Sequence, residues 1–176
     1  MKRWVALALA VPAAAAACPV DPAPRAAGTL LAVQVPGQPD RTYDAAALAA
    51  LPATTLTQRH SVSNGRDGAL DRSTAYAGVL LKDALVAATG LFGPNDRGGR
   101  MATVEAVATD GYRAVFSWGE LFNSAAGEQA IVIVSQDGRP LDAAAGPLAL
   151  RALGDLRPGP RHVRNLCALV VRPLPR

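Results

Sequence analysis

Tyr76-Ala77-Gly78-Val79-Leu80-Leu81-Lys82-Asp83-Ala84-Leu85-Val86-Ala87-Ala88-Thr89-Gly90 is the stretch on which the fold turns. Leu80, Leu81, Ala84, Leu85 and Ala88 recur at helical spacing, and Gly90 stands where a helix C-cap needs a left-handed residue. This is the best amphipathic helix in the chain. Immediately upstream, Gln58 to Thr74 is polar and holds Ser63-Asn64-Gly65 and Asp67-Gly68, which reads as a long irregular loop. A loop of that length inside a compact domain is functional or mobile.

The flanks are dominated by short strands. Downstream, Phe92 to Arg100 is a Gly/Pro/Asn/Asp connection, Met101 to Val107 alternates as a strand, Asp110-Gly111 makes a hairpin turn, and Tyr112 to Phe116 returns. Ser117 caps a short helical turn with Trp118, Glu120 and Leu121. Ile131 to Val134 suits a buried strand, and Asp137-Gly138 turns it towards Pro140-Leu141. The last strands are expected over Pro147 to Leu153 and Val163 to Val171, around the loop Gly154 to Pro160. Upstream, Thr29 to Val35 is β-rich and closed by Pro36-Gly37. Asp44 is an N-cap for Ala45 to Leu51, Pro52 ends that helix, and Thr54 to Thr57 is β-prone. No internal repeat is evident, so the class is α+β and β-rich.

The 176 residues allow one domain; 50% are hydrophobic, 18% charged and only 5% aromatic. Alanine inflates that hydrophobic share while burying little area, so Leu and Val must build the core. Lys2 and Arg3 precede an apolar run from Trp4 to Ala17, with Ala15 and Ala17 as an A-x-A cleavage pattern: the order of a secretory signal peptide over residues 1–17. The run is too short for a stable membrane span. Residues 18–28 read as a tether and residues 29–176 as the domain, exported and periplasmic. Without Lys2 and Arg3, the 18 basic residues become 16 against 14 acidic, a net +2. No polybasic arm or aromatic-interleaved stripe remains, so nucleic acid is not an expected partner.

Cys18 would be the first mature residue. It either carries lipid, which would anchor the protein to the membrane, or pairs with Cys167, the only other cysteine. The chain-entropy model assigns a disulfide closing so long a loop roughly 4 to 5 kcal/mol. Cys167 also suits a small apolar core position.

From Tyr43 onward the order of segments resembles the molybdopterin-binding domain of the sulfite-oxidase family, particularly its small exported bacterial members. The residues that carry the resemblance are Tyr43-Asp44 with Leu48 and Leu51-Pro52, the stretch Tyr76 to Asp83, Asp110-Gly111-Tyr112, Asp137-Gly138-Arg139-Pro140-Leu141, Gly146-Pro147-Leu148, and Val163-Arg164-Asn165-Leu166. The resemblance implies a β-rich mixed fold with a pterin in a central cleft and molybdenum held by one cysteine thiolate, a soft ligand suited to a redox metal. In this chain the corresponding segment, Thr54 to Ala77, contains no cysteine. A Cys-x-Gly-Asn-x-Arg ligand loop falls on Ser61 to Arg66, which puts Ser61 at the ligand position with Asn64 and Arg66 beside it. A serine hydroxyl is far more basic than a thiol and a poor substitute.

The resemblance also implies a cationic group holding the pterin phosphate near the C-terminus. Arg151, Arg157, Arg161, His162 and Arg164 form the densest positive patch, and Arg161 and Arg164 fall at the loop-to-last-strand positions. His60 in the polar stretch and His162 are the only histidines, too far apart and too isolated for a zinc or iron motif. His60 and His162 are cleft candidates as an acid/base or an anion contact, and Tyr112 is a further one. No G-x-S-x-G elbow, Walker loop or dinucleotide fingerprint occurs.

The expectation is therefore an exported protein with a molybdopterin-binding-type fold that acts as a binding protein without molybdenum redox chemistry. Its ligand would be a small anion, a pterin-like molecule or an envelope protein, and no cofactor is expected. Two alternatives stay open: an active molybdopterin-dependent oxidoreductase with Ser61 or no side chain at the metal, and an envelope lipoprotein interaction module.

Overall fold

A computed structural model of the protein describes residues 18–20, 27–63, 69–89, 99–157 and 159–174, with residues 60–63 and 69–71 described as backbone alone. In chain order the elements are β1 (Leu31–Gln34), β2 (Arg41–Tyr43), α1 (Ala45–Ala49), β3 (Ala53–Ser63), β4 (Ala69–Leu80), α2 (Leu81–Thr89), β5 (Ala102–Ala108), β6 (Arg113–Ser117), α3 (Trp118–Phe122), β7 (Ala130–Gln136), β8 (Arg139–Pro140), β9 (Ala149–Ala152), β10 (His162–Val163) and β11 (Leu166–Pro173). Gly99–Met101 and Ala125–Gln129 are short 3-10 turns. The class is α+β and strand-rich, as the sequence implies.

The strands form two sheets. One runs β2-β1-β11-β5-β6, with β1 parallel to β11 and the other pairs antiparallel. The other runs β10-β9-β7-β4-β3, entirely antiparallel, with β8 attached to β7. The main core joins Leu31, Val33, Val104, Phe116, Leu169 and Val171 from the first sheet to Val79, Val132, Leu150 and Val163 from the second. α2 adds Leu81, Ala84 and Leu85, the apolar stripe visible in the sequence. Removing one such leucine side chain costs about 2–5 kcal/mol.

Local chemistry fixes the short helices. Asp44 caps α1 by accepting from the Ala47 N–H at 2.8 Å. Ser117 and Glu120 form a reciprocal capping box at α3, whose Trp118 and Leu121 are buried. After β7, Asp137 and Gly138 both take positive φ, 51° and 74°, as a tight hairpin demands.

Three expectations need correction. The supposed loop Gln58 to Thr74 is mostly a hairpin: β3 continues to Ser63, β4 begins at Ala69, and the two pair from Ala53↔Val79 to Ser63↔Ala69. The polar composition of Gln58 to Thr74 carries no apolar alternation to mark the strands, and β4 pairs with β7 only from Tyr76 to Leu80. Asp137 closes the inner end of that ribbon: its N–H donates to Ala75 O, and its Oδ1 accepts from Ala75 N, both at 2.8 Å. Secondly, Leu80 ends β4 instead of opening the helix; Gly90, its expected C-cap, lies outside the described residues. Thirdly, the single strand expected from Val163 to Val171 is broken at Arg164-Asn165. Asn165 has φ 49°, and there the chain leaves β10 in one sheet for β11 in the other.

Cys18 and Cys167, 149 positions apart, are joined in a disulfide with Cα atoms 5.8 Å apart. Val20, beside it, packs with Ala32, Val107, Ala168 and Val170 on the face of the first sheet that points away from the main core. The start of the stretch read as a tether is thus laid against the sheet, and the Cys18 sulfur that lipidation would use is engaged in this bond. Residues 1–17 and 21–26 lie outside the described residues. Among the described residues, no helix is long and apolar enough to cross a membrane.

Candidate functional site

The second sheet buries one face in the main core and leaves a smaller apolar cluster on the other, where Tyr76, Ile131, Ile133 and Ala149 meet. Strand alternation decides which side chains share that outer face. Leu150 and Ala152 point into the main core, so Ala149 and Arg151 point outward; Val163 points in, so His162 points out. His162 stands directly opposite Arg151 in the β9–β10 ladder. These residues, with Tyr76, Asp142 and Arg164, line a cleft of about 140 Å³.

Tyr76 and Arg151 form its floor. The Arg151 guanidinium lies 5.1 Å from the centre of the Tyr76 ring, and its Nη1 donates to Tyr76 Oη. The phenol thereby fixes the planar cation in place. His162 stands between Arg151 and Arg164. Burial pushes its pKa down to about 4, and the two arginine charges push in the same direction. The imidazole is therefore neutral at neutral pH and keeps one N–H to donate. Among the described residues Asp142 is the one carboxylate in the lining, and its Oδ1 accepts from the Ala145 N–H at 2.7 Å. Two guanidiniums against one carboxylate leave the cleft cationic.

Asn165 holds its walls together. Its backbone N–H donates to Ala145 O at 2.7 Å and its Nδ2 to Ala144 O at 3.0 Å. A Cβ on Gly146, itself at φ 78°, would come within 2.2 Å of Asn165 Oδ1. The Gly146-Pro147-Leu148 and Val163-to-Leu166 segments singled out in the sequence are thus neighbours, and their contact sets Arg164 beside the Asp142 turn.

Of the residues proposed from sequence, His162 and Arg164 come together in this cleft. Arg161 is turned elsewhere: its Nε donates to Asp155 Oδ2 at 2.8 Å, its Nη2 to Asp155 Oδ1 and its Nη1 to Glu120 Oε1, above the Phe116 ring. Asp155, more than any other neighbour, holds that guanidinium firmly charged. Tyr112 Oη donates to Pro160 O at 2.6 Å, tying the β5–β6 hairpin to the loop before β10. His60 and Ser61 are on β3, paired with Arg72 and Asp71. At about 3.3 Å per residue, Ser61 is about 17 Å along β3 from Leu56, the residue opposite Tyr76. Asn64 and Arg66 lie outside the described residues. Tyr76 was not singled out as a site residue, and Arg151 only as one of a patch; the alternation Leu148-Ala149-Leu150-Arg151-Ala152 was the available signal for the latter.

A molybdenum site of the kind the resemblance implies does not fit these residues. Both cysteines are consumed in the disulfide, and among the described residues no three His, Cys, Asp or Glu side chains gather as a metal-binding group. The cleft is also less than half the ~300 Å³ at which pockets for cofactor-sized molecules begin. At ~30 Å³ per water it has room for four or five waters, or a compact anion of similar size.

No family model matches this sequence, and no curated protein does. Among solved structures, the chain is similar in fold to the sulfane dehydrogenase SoxCD from Paracoccus pantotrophus, with a TM-score of 0.56 and 15% identity over 80% of this chain. The match spans 37% of the matched SoxCD chain, so this protein corresponds to little more than a third of that chain's length. The strand-rich α+β architecture is therefore one that this enzyme also uses.

Proposed function

We propose that this is an exported binding protein built on the molybdopterin-domain type of fold, and that it binds a small anion in the cleft between Arg151, His162 and Arg164 without molybdenum redox chemistry. The observation that carries the proposal is the donor set. Two guanidiniums and a neutral imidazole converge on a space of about 140 Å³, while the thiolate that would hold a metal is absent from Thr54 to Ala77 and both cysteines are cross-linked. Guanidinium donors favour an oxyanion, because each N–H···O bond they make is charge-assisted and offsets the cost of stripping water from the anion. The fold shared with a dehydrogenase supports a common architecture and leaves the chemistry to the site.

Two measurements test this. Protein purified from its native envelope is expected to contain no stoichiometric molybdenum by elemental mass spectrometry. It should also bind sulfate in isothermal titration, with affinity reduced at least about tenfold in Arg164→Ala, the loss of about 1.4 kcal/mol expected for one charge-assisted contact. Stoichiometric molybdenum, or sulfate affinity indifferent to Arg164, would overturn the proposal.

A further inference from the structure

The anion cleft contains a proton acceptor in the wrong charge state for its ligand, and that has a thermodynamic consequence. His162 is opposite Arg151 in the β9–β10 ladder and two residues from Arg164, so it faces two guanidiniums. Tyr76 lies under Arg151 on β4, and Asp142 belongs to the turn before β9 with its carboxylate engaged by the Ala145 N–H. From β5 and β6, which also approach β10, the charged pair Glu105 and Arg113 is internally matched by a 2.6 Å bond. Arg161, next in sequence, is taken by Asp155 and Glu120. Among the described residues on these elements, Arg151 and Arg164 are the charges that act on His162, and no carboxylate offsets them there.

We infer that the cleft binds its oxyanion together with a proton, taken up by His162, so that the protein holds a compact dianion more tightly in acidic surroundings. This rests on the anion-cleft proposal above and specifies how that site is regulated. In the empty cleft, burial and the two arginines keep the imidazole neutral down to about pH 4. An anion seated between the same two guanidiniums cancels their field at His162 and offers the imidazolium a partner. The pKa of His162 must then be higher in the complex than in the free protein. By linkage, any ligand that raises a pKa binds with uptake of a proton between the two values, and its affinity climbs as pH falls through that window. No bond is made or broken beyond N–H on the imidazole, and the proton comes from the buffer.

The size of the effect follows from how far the anion restores the imidazole. Full return to the ordinary value near 6.5 would strengthen binding about 30-fold between about pH 7.5 and about pH 5. Sulfate is the suitable probe, because it remains a dianion throughout that range and its own protonation cannot mimic the effect.

The test is isothermal titration of sulfate into the mature, disulfide-bonded protein at several pH values, in two buffers of different ionisation enthalpy. The expected result is an affinity increase of at least about threefold on acidification, with proton uptake near pH 5.5 that vanishes in His162→Gln. As a check independent of that variant's folding, the two imidazole signals of the unmodified protein are followed by NMR, and the His162 midpoint should move up when sulfate is added. Sulfate binding with flat affinity and no proton uptake would overturn this inference while leaving the anion cleft standing. Uptake that persists in His162→Gln would place the proton elsewhere and also overturn it. No sulfate binding at any pH would instead remove the anion-cleft proposal on which it rests.

Discussion

Arg161 grips Asp155 with two of its guanidinium nitrogens, Nε donating to Oδ2 at 2.8 Å and Nη2 to Oδ1, while Nη1 reaches Glu120. All three side chains are about four-fifths buried, at 23%, 19% and 24% exposed. Asp155 precedes β10 and Glu120 lies in α3, so one arginine ties the loop before the cleft to the helix that follows β6. Arg161→Met keeps the stem over Phe116 but strands two partly buried carboxylates. A loss of about 2–4 kcal/mol in urea unfolding is expected, more than an exposed pair would give and short of the cost of a fully buried one. A change below about 1 kcal/mol would mean that the cluster is solvated and the tie weak.

The disulfide makes a prediction of its own. Cys18 and Cys167 are 149 positions apart, a loop for which the chain-entropy model gives about 5 kcal/mol. Reduction also frees Val20 from Ala32, Val107, Ala168 and Val170. Replacing both cysteines with serine is expected to cost about 2–5 kcal/mol and to increase proteolysis near position 18. The intact mass of the envelope-purified chain should fall two hydrogens below the reduced form, whereas a diacyl adduct on Cys18 would show that the sulfur is used for an anchor instead.

What the sequence revealed divides along a physical line. The stripe Leu81, Ala84, Leu85, the Asp44 and Ser117 caps and the Asp137-Gly138 turn each depend on residues a few positions apart, and each is found where expected. The β3–β4 ribbon is not legible in the sequence because Gln58 to Thr74 is polar, has no apolar alternation and contains Asn-Gly and Asp-Gly, which is a loop composition. The break at Asn165 was hidden by the apolar run Leu166 to Val171 that follows; asparagine, which tolerates positive φ better than most residues, was its only local sign. The pairing of Arg151 with Tyr76 spans 75 positions and exists only once β9 and β4 take their places on either side of β7.

Acid should destabilise the ligand-free protein through His162. Its folded pKa is pushed down to about 4 from an ordinary value of 6.5, so between those limits the unfolded chain binds a proton that the folded one refuses. Stability from this group is full above about pH 6.5 and is lost as pH falls towards about pH 4. The melting temperature should decline across that window, less steeply in His162→Gln, and sulfate should restore part of the loss. An identical slope in both proteins would mean that other groups, such as Glu105, whose pKa is lowered chiefly by Arg172, dominate acid sensitivity.

Two glycines should respond to alanine with opposite signs. Gly78 lies within the stretch that defines the fold, at the register shift where β4 meets β7, and it pairs with Ile133. A Cβ there would fall 1.9 Å from Val132 O, a backbone atom held by the ladder and unable to swing aside. Gly78→Ala must therefore push β4 off β7, costing about 3 kcal/mol or more at the top of the usual overpacking range. Gly119, inside α3, has no neighbour within 4 Å of the same position and no positive φ, so Gly119→Ala should gain about 0.4–1 kcal/mol by stiffening the unfolded chain and favouring helix. Urea unfolding of the two variants separates the causes. If Gly78→Ala were neutral, β4 and β7 would have to separate easily at this point, and the floor that Tyr76 builds at the end of that ladder would be less firmly set than the cleft requires.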